Sequence, residues 1–190
     1  MNIAVIAWGS LLWKPGAVKL ASHWHPGGPP LPLEFARVSE DTPELALVLS
    51  EGAAPCPTYW AWLDTQDLLE ARAMLREREK ITPSRPDWIG TVPAIDGGGS
   101  DEGIAAWMRA RHIDAVVWTA LPPRFEGRDG RKPSAREALA WLDKRTGEDR
   151  EAAERYVRQT PAHVDTPYRR LFEARLGWRA DVDAHVTSMR

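Results

Sequence analysis

Five consecutive apolar residues, Ile3 to Ala7, run directly into Trp8-Gly9-Ser10, and this boundary constrains the fold more than any other feature. So short a run, closed by a Gly-Ser turn, reads as a buried strand rather than a helix. More segments of the same kind follow. Leu33 to Ser39, Leu45 to Ser50 and Tyr59 to Leu63 read as strands separated by turn-forming residues. Prolines and glycines crowd His25 to Pro32, where no regular structure is expected.

Helical signals take over at Asp64-Thr65-Gln66-Asp67, which supplies caps and early acidic charge for a helix running to about Lys80. Trp88 to Ile95 reads as a strand and Asp96-Gly97-Gly98-Gly99-Ser100 as a loop. A short helix around Asp101 to Arg111 then leads into a late strand, Ala115 to Leu121, stopped by Pro122-Pro123. Ser134 and Glu137 form a capping box for a further helix, with Gly147 expected to close it. Two more helices are expected, Asp149 to Gln159 and Tyr168 to Leu176, the last stopped by Gly177. Strands first and helices late, without βαβ alternation, predict an α+β domain. No repeat or linker divides the chain, so residues 1–190 are expected to form one domain.

Composition narrows the function. Twenty-five Lys and Arg stand against 27 Asp and Glu, interleaved as in Arg76-Glu77-Arg78-Glu79. That balance gives no reason to expect nucleic acid or a membrane as partner. A single cysteine, Cys56, rules out an internal disulfide framework and a multi-thiolate metal site. The apolar start lacks a basic leader and is broken by Gly9-Ser10 and Lys14-Pro15-Gly16, so a cytoplasmic location is expected.

Two features carry candidate chemistry. In the helix ending at Lys80, at about 100° per residue, Leu68, Ala71, Leu75 and Glu79 fall within about 80° of one another. Glu77 lies on the opposite, solvent side. Glu79 therefore extends the buried stripe, and a carboxylate at the edge of an apolar face suits proton transfer. The plainer reading is that Glu79 lies past the end of packing, or simply pairs with an arginine such as Arg72 or Arg76. The second feature is the turn Trp8-Gly9-Ser10-Leu11-Leu12, where glycine permits close ligand approach and successive N–H groups can receive a carboxylate. Taken alone it is an ordinary Gly-Ser turn.

Together the two resemble the γ-glutamylcyclotransferase-like family. The first motif stands as Ala7-Trp8-Gly9-Ser10-Leu11-Leu12-Trp13-Lys14-Pro15-Gly16, closest to the ChaC-type branch, with Trp8 where the family usually has tyrosine. The second stands as Leu75-Arg76-Glu77-Arg78-Glu79-Lys80. Phe35 to Ser39 with Leu45 to Leu49 is similar to the family's central strand pair, and Thr166-Pro167-Tyr168-Arg169-Arg170 resembles its late tyrosine segment. The resemblance covers residues 1–80 and, more loosely, 155–177. The region from Ile81 to Lys132 has no counterpart.

This resemblance implies a mixed, barrel-like sheet surrounded by helices. It assigns Glu79 as general acid/base and Trp8, Gly9, Ser10, Leu11 and Leu12 as the γ-glutamyl-binding turn. Tyr168 would be a pocket hydrogen-bonding group. It implies a small γ-glutamyl amine or peptide as substrate, neither metal nor cofactor, and a monomer or homodimer. The alternative keeps the fold without catalysis, as a small-ligand-binding or protein-interaction module. His23-Trp24-His25 lacks a third metal ligand, and Cys56 between two prolines is a poor nucleophile. The glycines at 97–99 do not match a phosphate-binding spacing. The ten tryptophans alternate with aliphatic residues and read as core packing.

Overall fold

Eight strands and five α-helices make up the regular structure of the computed structural model, which describes residues 1–95 and 102–181. The architecture is mixed α+β. Contacts divide the chain into two compact units. One holds Met1–Ala7, Leu11–Pro30 and Pro57–Leu121; the other holds Trp8–Ser10, Leu31–Cys56 and Pro122–Arg190.

The first unit is built on β1 (Ile3–Ala7), whose five residues are all buried, as a continuous apolar run requires. It pairs in parallel with β6 (Ala115–Thr119) and antiparallel with β4 (Pro55–Trp62). Strand β5 (Ile89–Val92) adds antiparallel to β6, giving the order β5-β6-β1-β4. On one face Ile3, Val5, Tyr59, Ala61, Ala115 and Val117 pack against Ala71, Met74 and Leu75 of α1 (Leu68–Glu79). Leu11, Leu12 and Ile81 complete that core. The Asp67 carboxylate caps α1 by accepting from Leu69 N–H, and Lys80 ends it in the left-handed conformation. Helix α2 (Glu102–Arg109) buries Ile104, Trp107 and Met108.

The second unit pairs β3 (Leu45–Leu49) antiparallel with the later part of β2 (His25–Val38). The short strands β7 (Arg124–Phe125) and β8 (Arg128–Asp129) follow on its other side. Three helices, α3 (Ala135–Asp143), α4 (Gly147–Gln159) and α5 (Pro167–Leu176), belong to this unit. Phe35 of β2 meets Tyr156 of α4 and Phe172 of α5 edge-on, at centroid distances of 6.4 and 5.7 Å. Arg169, 2 % exposed, donates to the carbonyls of Val157, Thr160, Pro161 and Val164 and so ties α5 to the end of α4.

Several expectations are corrected. Among the described residues, the end strands of neither unit's order pair with each other, so the sheet is open and the expected barrel closure is not formed. His25 to Pro32 is not irregular but the first half of β2. Proline's fixed φ is compatible with extended backbone where no ladder N–H is needed. Gly28 is required there because a Cβ would sit 2.3 Å from Thr58 Oγ1, the hydroxyl that donates to Pro29 O. Gly147 opens α4 with φ of 55° rather than closing α3, which Lys144 caps. The strand expected from Trp88 to Ile95 is shorter, Ile89–Val92: a 3-10 turn takes Pro86–Trp88 before it, and Pro93 follows it. The expected loop Asp96 to Ser100 and the helix start at Asp101 lie outside the described residues.

Candidate functional site

Glu79 occupies the last turn of α1, where the apolar stripe of Ala71 and Leu75 carries it toward the sheet while Glu77 stays exposed. Its side chain is 14 % exposed. Carboxylate oxygen Oε1 accepts two hydrogen bonds, from Arg78 Nη1 at 2.9 Å and from Thr119 Oγ1 at 3.0 Å. Glu79 is thus paired with an arginine, as the plainer reading expects, but with its neighbour Arg78 rather than Arg72 or Arg76. Arg72 instead donates to Ile89 O, Thr91 Oγ1 and Pro86 O.

Arg78 also binds the chain that leaves the N-terminal turn. Its Nε and Nη2 donate to Lys14 O at 3.0 and 2.9 Å. Gly16, at φ of 57°, lies close against it; a Cβ there would stand 3.2 Å from Arg78 Cγ. Ser10–Leu12 forms a 3-10 turn whose Leu11 and Leu12 side chains lie in the same core as Leu75 and Ile81, the apolar residues flanking Glu79. One guanidinium thus joins the segment following the turn to the carboxylate at the helix end.

Trp8, Gly9 and Ser10 belong to the second unit. Trp8 is 6 % exposed, and its indole N–H donates to Leu47 O at 3.1 Å. It is packed and hydrogen-bonded within the protein. Gly9 faces the hydroxyl of Tyr156, where a Cβ would come within 2.7 Å of the oxygen. That same hydroxyl accepts from Leu47 N–H at 3.0 Å. Tyr168 is half-buried in the same unit and donates its hydroxyl proton to Pro133 O at 2.6 Å. Burial raises the Tyr168 pKa above the usual phenol value, with the charges of Glu34 and Glu137 adding to it. Among the described residues its polar partners are Pro133 and Glu34, not the turn.

Glu34, 2 % exposed on β2, carries no signal in the sequence that marks it out. Oε1 accepts from Phe35 N–H and from Thr166 Oγ1, at 2.9 and 2.6 Å, and Oε2 accepts a long bond of 3.5 Å from Tyr168 N–H. Burial holds its pKa above the ordinary carboxylate value, although these bonds and the charge of Lys132 oppose the rise. It anchors the start of α5. Arg78, Thr119 and Tyr156 were also missed. Arg78 carried one available signal, its position directly beside Glu79.

His25 stacks on Trp60 with centroids 4.7 Å apart, and Trp60 meets Trp62 and Trp107 edge-on. Cys56 is buried, which pushes its thiol pKa up. Among the described residues no group of three His, Cys, Asp or Glu side chains is placed to hold a metal ion, and no helix is long and apolar enough to cross a membrane. No family model, curated protein or solved structure matches this chain.

Proposed function

We propose that the protein is a γ-glutamylcyclotransferase-like enzyme that converts a small γ-glutamyl amine or peptide into 5-oxoproline and a free amine or amino acid. The observation that carries this reading is Arg78, which holds Lys14 O and Glu79 Oε1 at once. The two segments that bear the family resemblance are thereby coupled through one side chain.

On this reading, N–H groups at Leu11 and Leu12, which share a core with α1, receive the γ-glutamyl group and stabilise charge developing on its carbonyl oxygen. Glu79 takes a proton from the substrate's α-ammonium. The freed amine attacks the γ-carbonyl carbon, and the new C–N bond closes the five-membered lactam. As the bond to the leaving nitrogen breaks, Glu79 returns its proton to that nitrogen. The second proton of the ring nitrogen passes the same way, so the product amine departs as ammonium. Nucleophile and electrophile share one molecule, so positioning supplies much of the catalysis and a single acid/base suffices. Trp8 is given no part in these steps, since its N–H is held by Leu47 O. Tyr168 is likewise given no part in them, since its hydroxyl proton is directed to Pro133 O.

The test is product formation from a panel of γ-glutamyl amines and γ-glutamyl dipeptides, each set beside its α-glutamyl isomer. The reading expects 5-oxoproline from at least one γ-linked compound and none from the isomers. Binding by calorimetry without turnover of any γ-linked compound would support the non-catalytic alternative instead.

A further inference from the structure

We propose that Thr119 is a positioning residue that, together with Arg78, decides which oxygen of Glu79 carries the proton. The assignment rests on the cyclisation reading above. Thr119 is the last residue of β6, on the face that Ala115 and Val117 turn toward α1. At this position the alternation calls for another apolar β-branched side chain. Threonine keeps that shape and adds a hydroxyl, which donates to Glu79 Oε1 at 3.0 Å. The strand end is itself held by the Trp88–Ile89 segment. Thr119 pairs in register with Ile89, and Ala120 N–H donates to Trp88 O at 2.8 Å. A β-branched side chain on a pinned strand has little rotamer freedom, so the hydroxyl is delivered to one place.

The consequence concerns the two carboxylate oxygens. Oε1 receives both donors, the Arg78 guanidinium and the Thr119 hydroxyl. Donors directed at an oxygen favour its unprotonated form, so the proton is taken up and returned at Oε2. Arg78 sets the charge and ties Glu79 to Lys14 O; Thr119 sets the rotation of the carboxylate plane. Acid/base catalysis depends on that placement, since proton transfer needs the donor and acceptor within hydrogen-bond reach.

Thr119→Val removes the hydroxyl and keeps the volume, while Thr119→Ser keeps the hydroxyl. Steady-state kinetics on the best γ-glutamyl substrate, with thermal unfolding of each variant, should show kcat lowered about tenfold in Thr119→Val with KM within about twofold. Thr119→Ser should recover most of that loss. Glu79→Gln, measured alongside, separates the two levels. If it retains turnover, the cyclisation reading itself falls. If it is inactive but Thr119→Val keeps the wild-type kcat, or Thr119→Ser is as slow as the valine variant, only the role of Thr119 is overturned. Should Thr119→Val unfold, Thr119→Ser against Thr119→Ala carries the same comparison.

Discussion

Thr119 Oγ1 lies 3.0 Å from Glu79 Oε1, a hydrogen bond across 40 residues that joins the end of a strand to the end of a helix. Each partner sits where an apolar stripe runs out: Glu79 follows Ala71 and Leu75 on α1, and Thr119 follows Ala115 and Val117 on β6. The core delivers both polar groups to its own margin. That placement leaves Glu79 half-buried while Glu77, two residues earlier, is exposed.

Gly9 is predicted to be intolerant of a side chain for a reason confined to one contact. Its Cβ would stand 2.7 Å from Tyr156 Oη. Gly9→Ala should cost about 1–3 kcal/mol of stability by overpacking. Tyr156→Phe in the same chain should recover part of it, although Tyr156→Phe alone loses the bond from Leu47 N–H. A double-mutant cycle by denaturant unfolding measures the coupling, and strictly additive effects would contradict the contact.

Arg169→Met should be among the most damaging single changes. The guanidinium serves four buried carbonyls, and methionine leaves all four without that donor. A loss of about 3 kcal/mol or more is expected from stranding buried polar groups. Arg169→Lys should recover little, because an ammonium cannot reproduce the planar fork. Urea unfolding of both variants is the check.

Glu34 gives the protein a pH-dependent stability. Its folded-state pKa is raised, so between the unfolded carboxylate value and that raised value the folded state holds more protons. The contribution of Glu34 is therefore fully present at acid pH and lost as pH rises through its folded pKa. Compared with Glu34→Gln, the wild type should show its best relative stability at low pH and a declining difference above it. A flat difference across the titration, from unfolding curves at several pH values, would contradict the burial of this carboxylate.

Local rules made part of this molecule legible in advance. The Ile3–Ala7 strand, the Asp67 cap with α1, and the Ser134–Glu137 capping box each depend on residues within a few positions of one another. What failed depends on distant partners or unusual backbone. Prolines suggested irregularity at His25 to Pro32, but Thr58 supplies the partner that lets the strand form there. The β7–β8 hairpin turns on Glu126-Gly127, both with positive φ, and lacks the Asn-Gly or Asp-Gly signal such turns usually show. Within the candidate site, the helix face of Glu79 followed from 3.6-residue periodicity. Its partner Thr119 did not, because a strand threonine carries no mark of what it will meet 40 residues away.

Replacing the two glutamates of α1 one at a time tests the central claim most directly. Glu79→Gln and Glu77→Gln should both stay folded by circular dichroism, with Glu77→Gln within about 0.5 kcal/mol of wild type as an exposed change. On γ-glutamyl substrates, 5-oxoproline release should vanish in Glu79→Gln and persist near the wild-type rate in Glu77→Gln. Undiminished 5-oxoproline formation by folded Glu79→Gln protein would contradict the assignment of Glu79 as the acid/base of this chain.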